Sequence, residues 1–250
     1  MVNREYSMNT TETIAADRFA LKDCGRRIGL LGGTFDPVHN GHLALAGYVL
    51  DFCQLASILF IPAAQPPHKG QSAVTSFAHR VAMLKVALRH DPRFHIAELE
   101  ARRSGPSYSV DTLRELRLQL APAVRLFFII GMDAFVELGT WKNHQQLLDY
   151  ADLAVVPRPD YPLALIGPVV GRLGRYFFDA AESCWRAPDR SGRIHPVNMP
   201  PVGISSTAVR EKSGAGAPLD GLVPAAVAEY IDAHRLYAPR RGARWPVSHG

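Results

Sequence analysis

Five short, nearly continuous apolar runs, separated by stretches with helical spacing, constrain this chain more than any other feature. The first is Arg27-Ile28-Gly29-Leu30-Leu31, which ends in Gly32-Gly33. The second, at 57–61, ends at Pro62; the third is Phe94-His95-Ile96-Ala97. The fourth, at 125–130, runs into Gly131, and the fifth is Leu153-Ala154-Val155-Val156. Between the runs lie helix patterns. One opens at Asn40 or Gly41 and carries Leu43, Leu45, Ala46, Val49 and Leu50 on one face. A second carries Val81, Leu84, Val86 and Leu88, and a third, capped by Ser109 or Asp111, carries Leu113, Leu116 and Leu120. A short helical stretch at 145–148, a last strand from Ile194 to Val197 and a closing helix over 223–236 complete the pattern. Residues 157–193 are the least regular part, with an apolar patch at Tyr176-Phe177-Phe178. Runs without polar alternation belong to strands covered on both faces, and strands alternating with helices make a parallel sheet. The expectation is an α/β fold: a Rossmann-like open parallel sheet with helices on both faces.

Charge and cysteine usage narrow the partners. The net charge is +5 over 250 residues. Arg240, Arg241 and Arg244 carry three of those charges in a tail, 239–250, that holds no acid. A surplus gathered in a tail is not a basic stripe on a fold, so nucleic acid is not an expected partner. No apolar run approaches the ~18 residues that cross a bilayer, so no membrane is expected either. Cys24, Cys53 and Cys184 lie far apart without a C-x-x-C pair, which reads as three reduced thiols in a cytoplasmic protein. The organisation expected is a flexible leader at 1–26, one domain at 27–238 and the basic tail. Oligomeric state is not legible.

In open parallel sheets ligands bind at the carboxyl ends of the strands, so the residues just after each run carry the information. After the first run stands Gly32-Gly33-Thr34-Phe35-Asp36-Pro37-Val38-His39-Asn40-Gly41-His42. Paired glycines allow a tight turn and close approach of a ligand. The loop then enters a helix N-terminus, where free N–H groups and the helix dipole favour an anion. His39 and His42, three apart, can face one point, as a phosphate requires. Rival loops fail: there is no G-x-G-x-x-G, no G-K-[ST] ending and no H-E-x-x-H zinc pattern. After the second run, the stiff Pro66-Pro67 pair precedes His68-Lys69. Gly131-Met132-Asp133 offers a close backbone and a carboxylate suited to ribose hydroxyls, although Asp133 also reads as a helix cap. Trp141 reads as either core or ring platform. Ile204-Ser205-Ser206-Thr207 precedes a short helix with Arg210 on its first turn, so hydroxyls, N–H groups and a bidentate cation converge.

The string G-G-T-F-D-P-V-H-N-G-H closely resembles the signature of the adenylyltransferase superfamily. The segments P-P-H-K at 66–69, S-Y-S-V-D-T-L at 107–113, G-M-D at 131–133 with Trp141, and I-S-S-T-A-V-R at 204–210 follow in the order of bacterial nicotinate-nucleotide adenylyltransferases. The resemblance covers roughly 27–238 and implies the nucleotidyltransferase type of the fold. It implies adenylyl transfer from ATP to nicotinate mononucleotide, giving nicotinate adenine dinucleotide and pyrophosphate, with Mg²⁺ accompanying the ATP and no metal site in the protein. It places Gly32, Gly33, Thr34, Phe35, His39, His42, Ile204, Ser205, Ser206 and Arg210 on ATP. Lys69, Ser109, Asp133 and Trp141 fall on the nicotinate nucleotide, and His39, His42, Lys69 and Arg210 form the catalytic set. Ser109 stands where the family often has Thr, keeping the hydroxyl and losing the methyl. Arg158 matches an Arg-Pro position to which no role is given. The alternatives are nicotinamide mononucleotide or phosphopantetheine as acceptor, or a protein that only senses nucleotides. An aminoacyl-tRNA synthetase shares the H-x-G-H loop, but this chain has no K-M-S-K-S segment.

Overall fold

A computed structural model describes residues 24–66, 74–200 and 202–238. Five apolar runs become parallel strands: β1 (Arg27–Gly33), β2 (Ser57–Pro62), β3 (Phe94–Ile96), β4 (Arg125–Gly131) and β5 (Asp152–Val156). All six residues of β2 and all five of β5 are buried, as strands covered on both faces should be. β8 (Ile194–Pro196) continues the parallel set beside β5. With β6 (Phe177–Asp179) and β7 (Cys184–Arg186) beyond it, the order across the sheet is β3-β2-β1-β4-β5-β8-β7-β6.

The parallel expectation needs one addition. β6 and β7 come from the stretch that showed least regularity, and both pair antiparallel at the β8 edge. β6 is mostly exposed and both strands end on a charged residue, Asp179 or Arg186, so neither forms an apolar run and the aromatic patch marked only β6.

Helices cover both faces. α1 (Asn40–Phe52) and α2 (Phe77–Leu88) lie on one side, with α7 (Ser206–Gly214) and α8 (Ala225–Ala233). Their Leu45, Val49, Leu84, Val209 and Ile231 pack against Leu31, Phe127 and Ile129 of the sheet. On the other side lie α3 (Ser109–Gln119), α4 (Met132–Val136), α5 (Leu147–Tyr150) and α6 (Ile166–Leu173). Leu113, Phe135, Leu148 and Val169 pack there against Leu30, Phe128 and Ile130. Neighbouring strand residues thus serve opposite cores, which is why the runs show no polar alternation.

Several boundaries differ from the sequence expectation. α2 begins four residues before Val81, because Ser76 caps it by accepting the His79 amide at 3.4 Å. Neither Ser109 nor Asp111 caps α3: Tyr108 holds the cap position and Ser109 is the first helical residue. Pro224 stands at the cap of α8, shortening the closing helix at its start. Cys24 is buried ahead of β1, and its carbonyl accepts from Ser57 Oγ at 2.7 Å.

β1 is the pivot of this topology. β2 and β3 extend to one side of it, β4, β5 and β8 to the other, so the chain reverses direction across the sheet between β1 and β4. That switch point leaves a crevice at the carboxyl ends of β1 and β4, where Gly33 and Gly131 stand. Among the described residues, no helix is long and apolar enough to cross a membrane.

Candidate active site

The 34–37 loop leaves β1 in a conformation that the surrounding protein has to impose. Phe35 has φ of 50°, in the left-handed region that side chains other than glycine rarely occupy. Its ring is buried, lies against Gly33 and meets the His42 ring edge-on at 5.0 Å. Three carbonyls of the segment are tied down from outside. Arg80 Nη1 donates to Thr34 O at 2.7 Å, Arg210 Nη1 to Asp36 O at 2.8 Å and Ser206 Oγ to Pro37 O at 3.0 Å. Arg80 is itself 1% exposed, and its Nε donates to Thr75 O at 3.0 Å.

His39 caps α1, and His42 lies one turn inside it. Their rings stack with centroids 3.7 Å apart at 25°. The His39 amide donates to His42 Nδ1 at 3.3 Å, so a neutral His42 carries its proton on Nε2. His39 Nδ1 is buried with no hydrogen-bond partner among the described residues. A Cβ on Gly41 would lie 3.0 Å from that atom, so the glycine makes room for the ring. Burial pushes His39 down to about 4, with Arg158 adding to the effect. Burial, then His39, then Arg158 hold His42 well below the usual imidazole range. Both rings are therefore neutral N–H donors at pH 7. The helix N-terminus is less open than the sequence implies, because the Asn40 amide already donates to Leu222 O at 2.8 Å.

The start of α7 lies against the same loop. Ser205 caps it, accepting the Ala208 amide at 3.2 Å. Ser206 and Arg210 reach Pro37 and Asp36 as described, and Arg210 Nη2 also donates to Thr207 Oγ1 at 3.1 Å. Arg210 is the fifth helical residue, not on the first turn, and its length brings the guanidinium back to the loop. Ile204 is half-buried against the core on this face.

Beside the loop opens a cavity of about 600 Å³, within the range of small-molecule sites. Gly33 and Thr34 form one wall, and Ser109, Asp133, Trp141 and Arg158 the others. Three of the four residues expected on the nicotinate side thus share one chamber with the end of β1. The fourth, Lys69, lies outside the described residues. Trp141 is held edge-on by Phe128 at 6.3 Å, leaving its ring at the cavity wall. Asp133 is in the first turn of α4, with Gly131 at the cap, so it is not itself the cap.

Arg158 was left without a role by the sequence, yet it sits at the junction of both halves. Its Nε is buried, makes no hydrogen bond among the described residues and lies 3.6 Å from Asp133 Oδ1. Its backbone is clamped in a turn, donating to and accepting from Tyr161 at 3.2 and 3.0 Å. The signal was its place, two residues beyond β5 at the ligand-facing edge of the sheet. Lys142 is a second cavity residue the sequence did not single out. Its Nζ lies 4.5 Å from the Tyr108 ring centre and 2.9 Å from Asp111 Oδ2.

A family model described as cytidylyltransferase-like matches residues 30–212. A Chromobacterium violaceum protein named "Probable nicotinate-nucleotide adenylyltransferase" is 40% identical over 213 residues, covering 84% of this chain and 98% of that one. A Thermus thermophilus protein of the same name is 42% identical over 212 residues, covering 84% and 99%. This chain belongs to the nicotinate-nucleotide adenylyltransferase family. The solved structure of Plasmodium falciparum nicotinic acid mononucleotide adenylyltransferase, complexed with NaAD, shares the fold with a TM-score of 0.66. At 16% identity it covers 85% of this adenylyltransferase-family chain and 98% of its own.

Proposed function

We propose that this protein transfers the adenylyl group of ATP to nicotinate mononucleotide, releasing pyrophosphate and forming nicotinate adenine dinucleotide for NAD biosynthesis. The observation that carries the reading is the joining of two subsites at Gly33-Thr34. On one side a stacked pair of neutral imidazoles stands at a helix N-terminus. On the other is a chamber walled by an indole, a carboxylate and a guanidinium.

A phosphate oxygen of the mononucleotide attacks the α-phosphorus of ATP in line. The new P–O bond forms as the bond from the α-phosphorus to the α,β-bridging oxygen breaks, and its electron pair leaves with pyrophosphate. The nucleophile is already ionised at neutral pH, so no general base and no covalent enzyme intermediate is needed. Placement and charge stabilisation are the protein's work. His42 Nε2–H, with His39, donates to the α- and β-phosphates as negative charge moves onto the leaving group. Neutral donors suit this, because the ring needs no desolvated proton uptake before substrate arrives.

Ser205, Ser206 and Arg210 stand on the ATP side, Arg210 both bracing the loop and facing the triphosphate. Trp141 stacks the pyridine ring, Ser109 contacts the nicotinate side and Asp133 meets ribose hydroxyls. We add Arg158, whose unsatisfied Nε is a ready donor for the mononucleotide phosphate. Lys69 completes the phosphate contacts in this reading. Among the described residues no three His, Cys, Asp or Glu side chains gather to hold a metal ion. A Mg²⁺ accompanying ATP would be held by the triphosphate and would neutralise its charge, leaving His39 and His42 to donate to phosphate oxygens. We place the reaction in the cytoplasm, with no nucleic acid or membrane partner.

The test is His42→Ala. Pyrophosphate release from ATP and nicotinate mononucleotide should fall about 10²–10³-fold, as removal of one oxyanion donor does. ATP binding should persist. A protein that only senses nucleotides would bind ATP and show no turnover in the wild type.

A further inference from the structure

We propose that Tyr237 is a positioning residue for this reaction, its phenol holding, through Asp36, the loop that presents His39 and His42. The proposal rests on the adenylyl-transfer reading of the site. Asp36 is 2% exposed, in the middle of the strained 34–37 segment. A buried carboxylate needs donors on both oxygens. Oδ1 accepts from Tyr237 Oη at 2.7 Å, and Oδ2 accepts from the Thr75 amide at 3.0 Å. One donor is a backbone group that cannot be withdrawn; the other arrives from a residue 201 positions away.

The chain makes a special effort to deliver that phenol. After α8, the Leu236 amide donates to Ile231 O at 3.0 Å, closing the helix end. Arg235 and Tyr237 both take positive φ, 49° and 64°, which is costly for side-chain-bearing residues. The segment before α8 grips the other end of the loop: Asn40 donates to Gly221 O through its side chain at 2.9 Å and to Leu222 O through its amide at 2.8 Å. Residues 221–237 therefore hold Asp36 and Asn40, on either side of His39, with Phe35 and His42 just beyond the two held points. Burial and the neighbouring Asp36 push the phenol far above its ordinary range, so it remains a donor at any physiological pH. A residue that merely filled the core would need the ring and not the hydroxyl.

Tyr237→Phe keeps the ring and removes the donor. With ATP and nicotinate mononucleotide as substrates, kcat/KM for ATP should fall about 10-fold or more, the effect of leaving a buried acceptor unsatisfied. KM for the mononucleotide should stay within about 2-fold, since its chamber does not touch Asp36. Asp36→Asn should show the same ATP-side loss, and the double variant no more than the worse single one. Unchanged ATP constants in either single variant, equal rises in both KM values, or additive losses would overturn the proposal. Should the wild type not turn over, the adenylyl-transfer reading falls, and calorimetry with a non-hydrolysable ATP analogue decides the positioning role. Roughly 10-fold weaker binding by Tyr237→Phe then supports it, and equal binding overturns it.

Discussion

His39 and His42 stack face to face with ring centroids 3.7 Å apart, and the backbone amide of the first donates to the ring of the second. Two imidazoles so close cannot both be charged without repulsion, and burial already opposes charging either. Both rings stay neutral at pH 7, with Arg158 supplying the nearby positive charge.

The neutral pair makes stability depend on pH in a definite direction. His39 is held at about 4, below its ordinary 6.5. Between those values the unfolded chain binds a proton that the folded chain does not, so stability rises with pH across that window. The contribution is complete above pH 6.5 and is lost as pH falls toward 4. Urea unfolding should show a loss on the order of 2 kcal/mol from His39 between pH 7.5 and pH 5. His39→Gln should flatten that part of the dependence. The kcat/KM profile for ATP should show no inflection near pH 6.5 from either ring.

Gly131 is small because two site groups converge above it. A Cβ there would overlap the Asp133 carboxylate and lie 2.8 Å from Arg158 Nε. Gly131→Ala should therefore separate Asp133 from Arg158 and reduce kcat/KM for the mononucleotide by about 10²-fold, a displacement of the order of 1 Å being enough. The position lies at the carboxyl end of β4, so thermal unfolding should move by only a few degrees. Steady-state kinetics beside a melting curve separates the two effects.

Trp141 is half-buried, with one edge against Phe128 and one surface on the cavity. Stacking of a ring on an aromatic side chain contributes about 1–3 kcal/mol. Trp141→Ala should raise KM for the mononucleotide by about 5- to 150-fold, with KM for ATP unchanged. Trp141→Phe should recover most of the loss. A matching rise in KM for ATP would mean that Trp141 supports the fold instead of the ligand.

Much of the fold was legible in the sequence. An unbroken apolar run identifies a strand because burial on both faces removes polar residues, as in β2 and β5. The rule that ligands meet the carboxyl ends of parallel strands then picks out Gly33, Gly131 and the His39–His42 loop. Arg158 obeys the same rule, but one arginine in a proline-rich stretch looks like any solvated arginine until its unsatisfied Nε and the Asp133 carboxylate are seen together. The hairpin of β6 and β7 escaped because its strands end on Asp179 and Arg186 and form no apolar run, β6 being mostly exposed. Asp36, Arg80 and Tyr237 escaped for a different reason. Their meaning is pairwise and long-range, and a charge or hydroxyl in sequence shows nothing of the buried partner it will meet. The sequence reads Ser206 and Arg210 as anion ligands, and it shows nothing of their hydrogen bonds to Pro37 and Asp36.

The central claim is that the chamber beside Gly33-Thr34 takes the nicotinic acid nucleotide and the histidine loop takes ATP. The most direct measurement is pyrophosphate release by the wild-type protein with ATP, Mg²⁺ and one of three acceptors: nicotinate mononucleotide, nicotinamide mononucleotide or phosphopantetheine. Turnover should be highest with nicotinate mononucleotide, with nicotinate adenine dinucleotide as the product. Equal or faster turnover with either of the other acceptors would contradict the assignment.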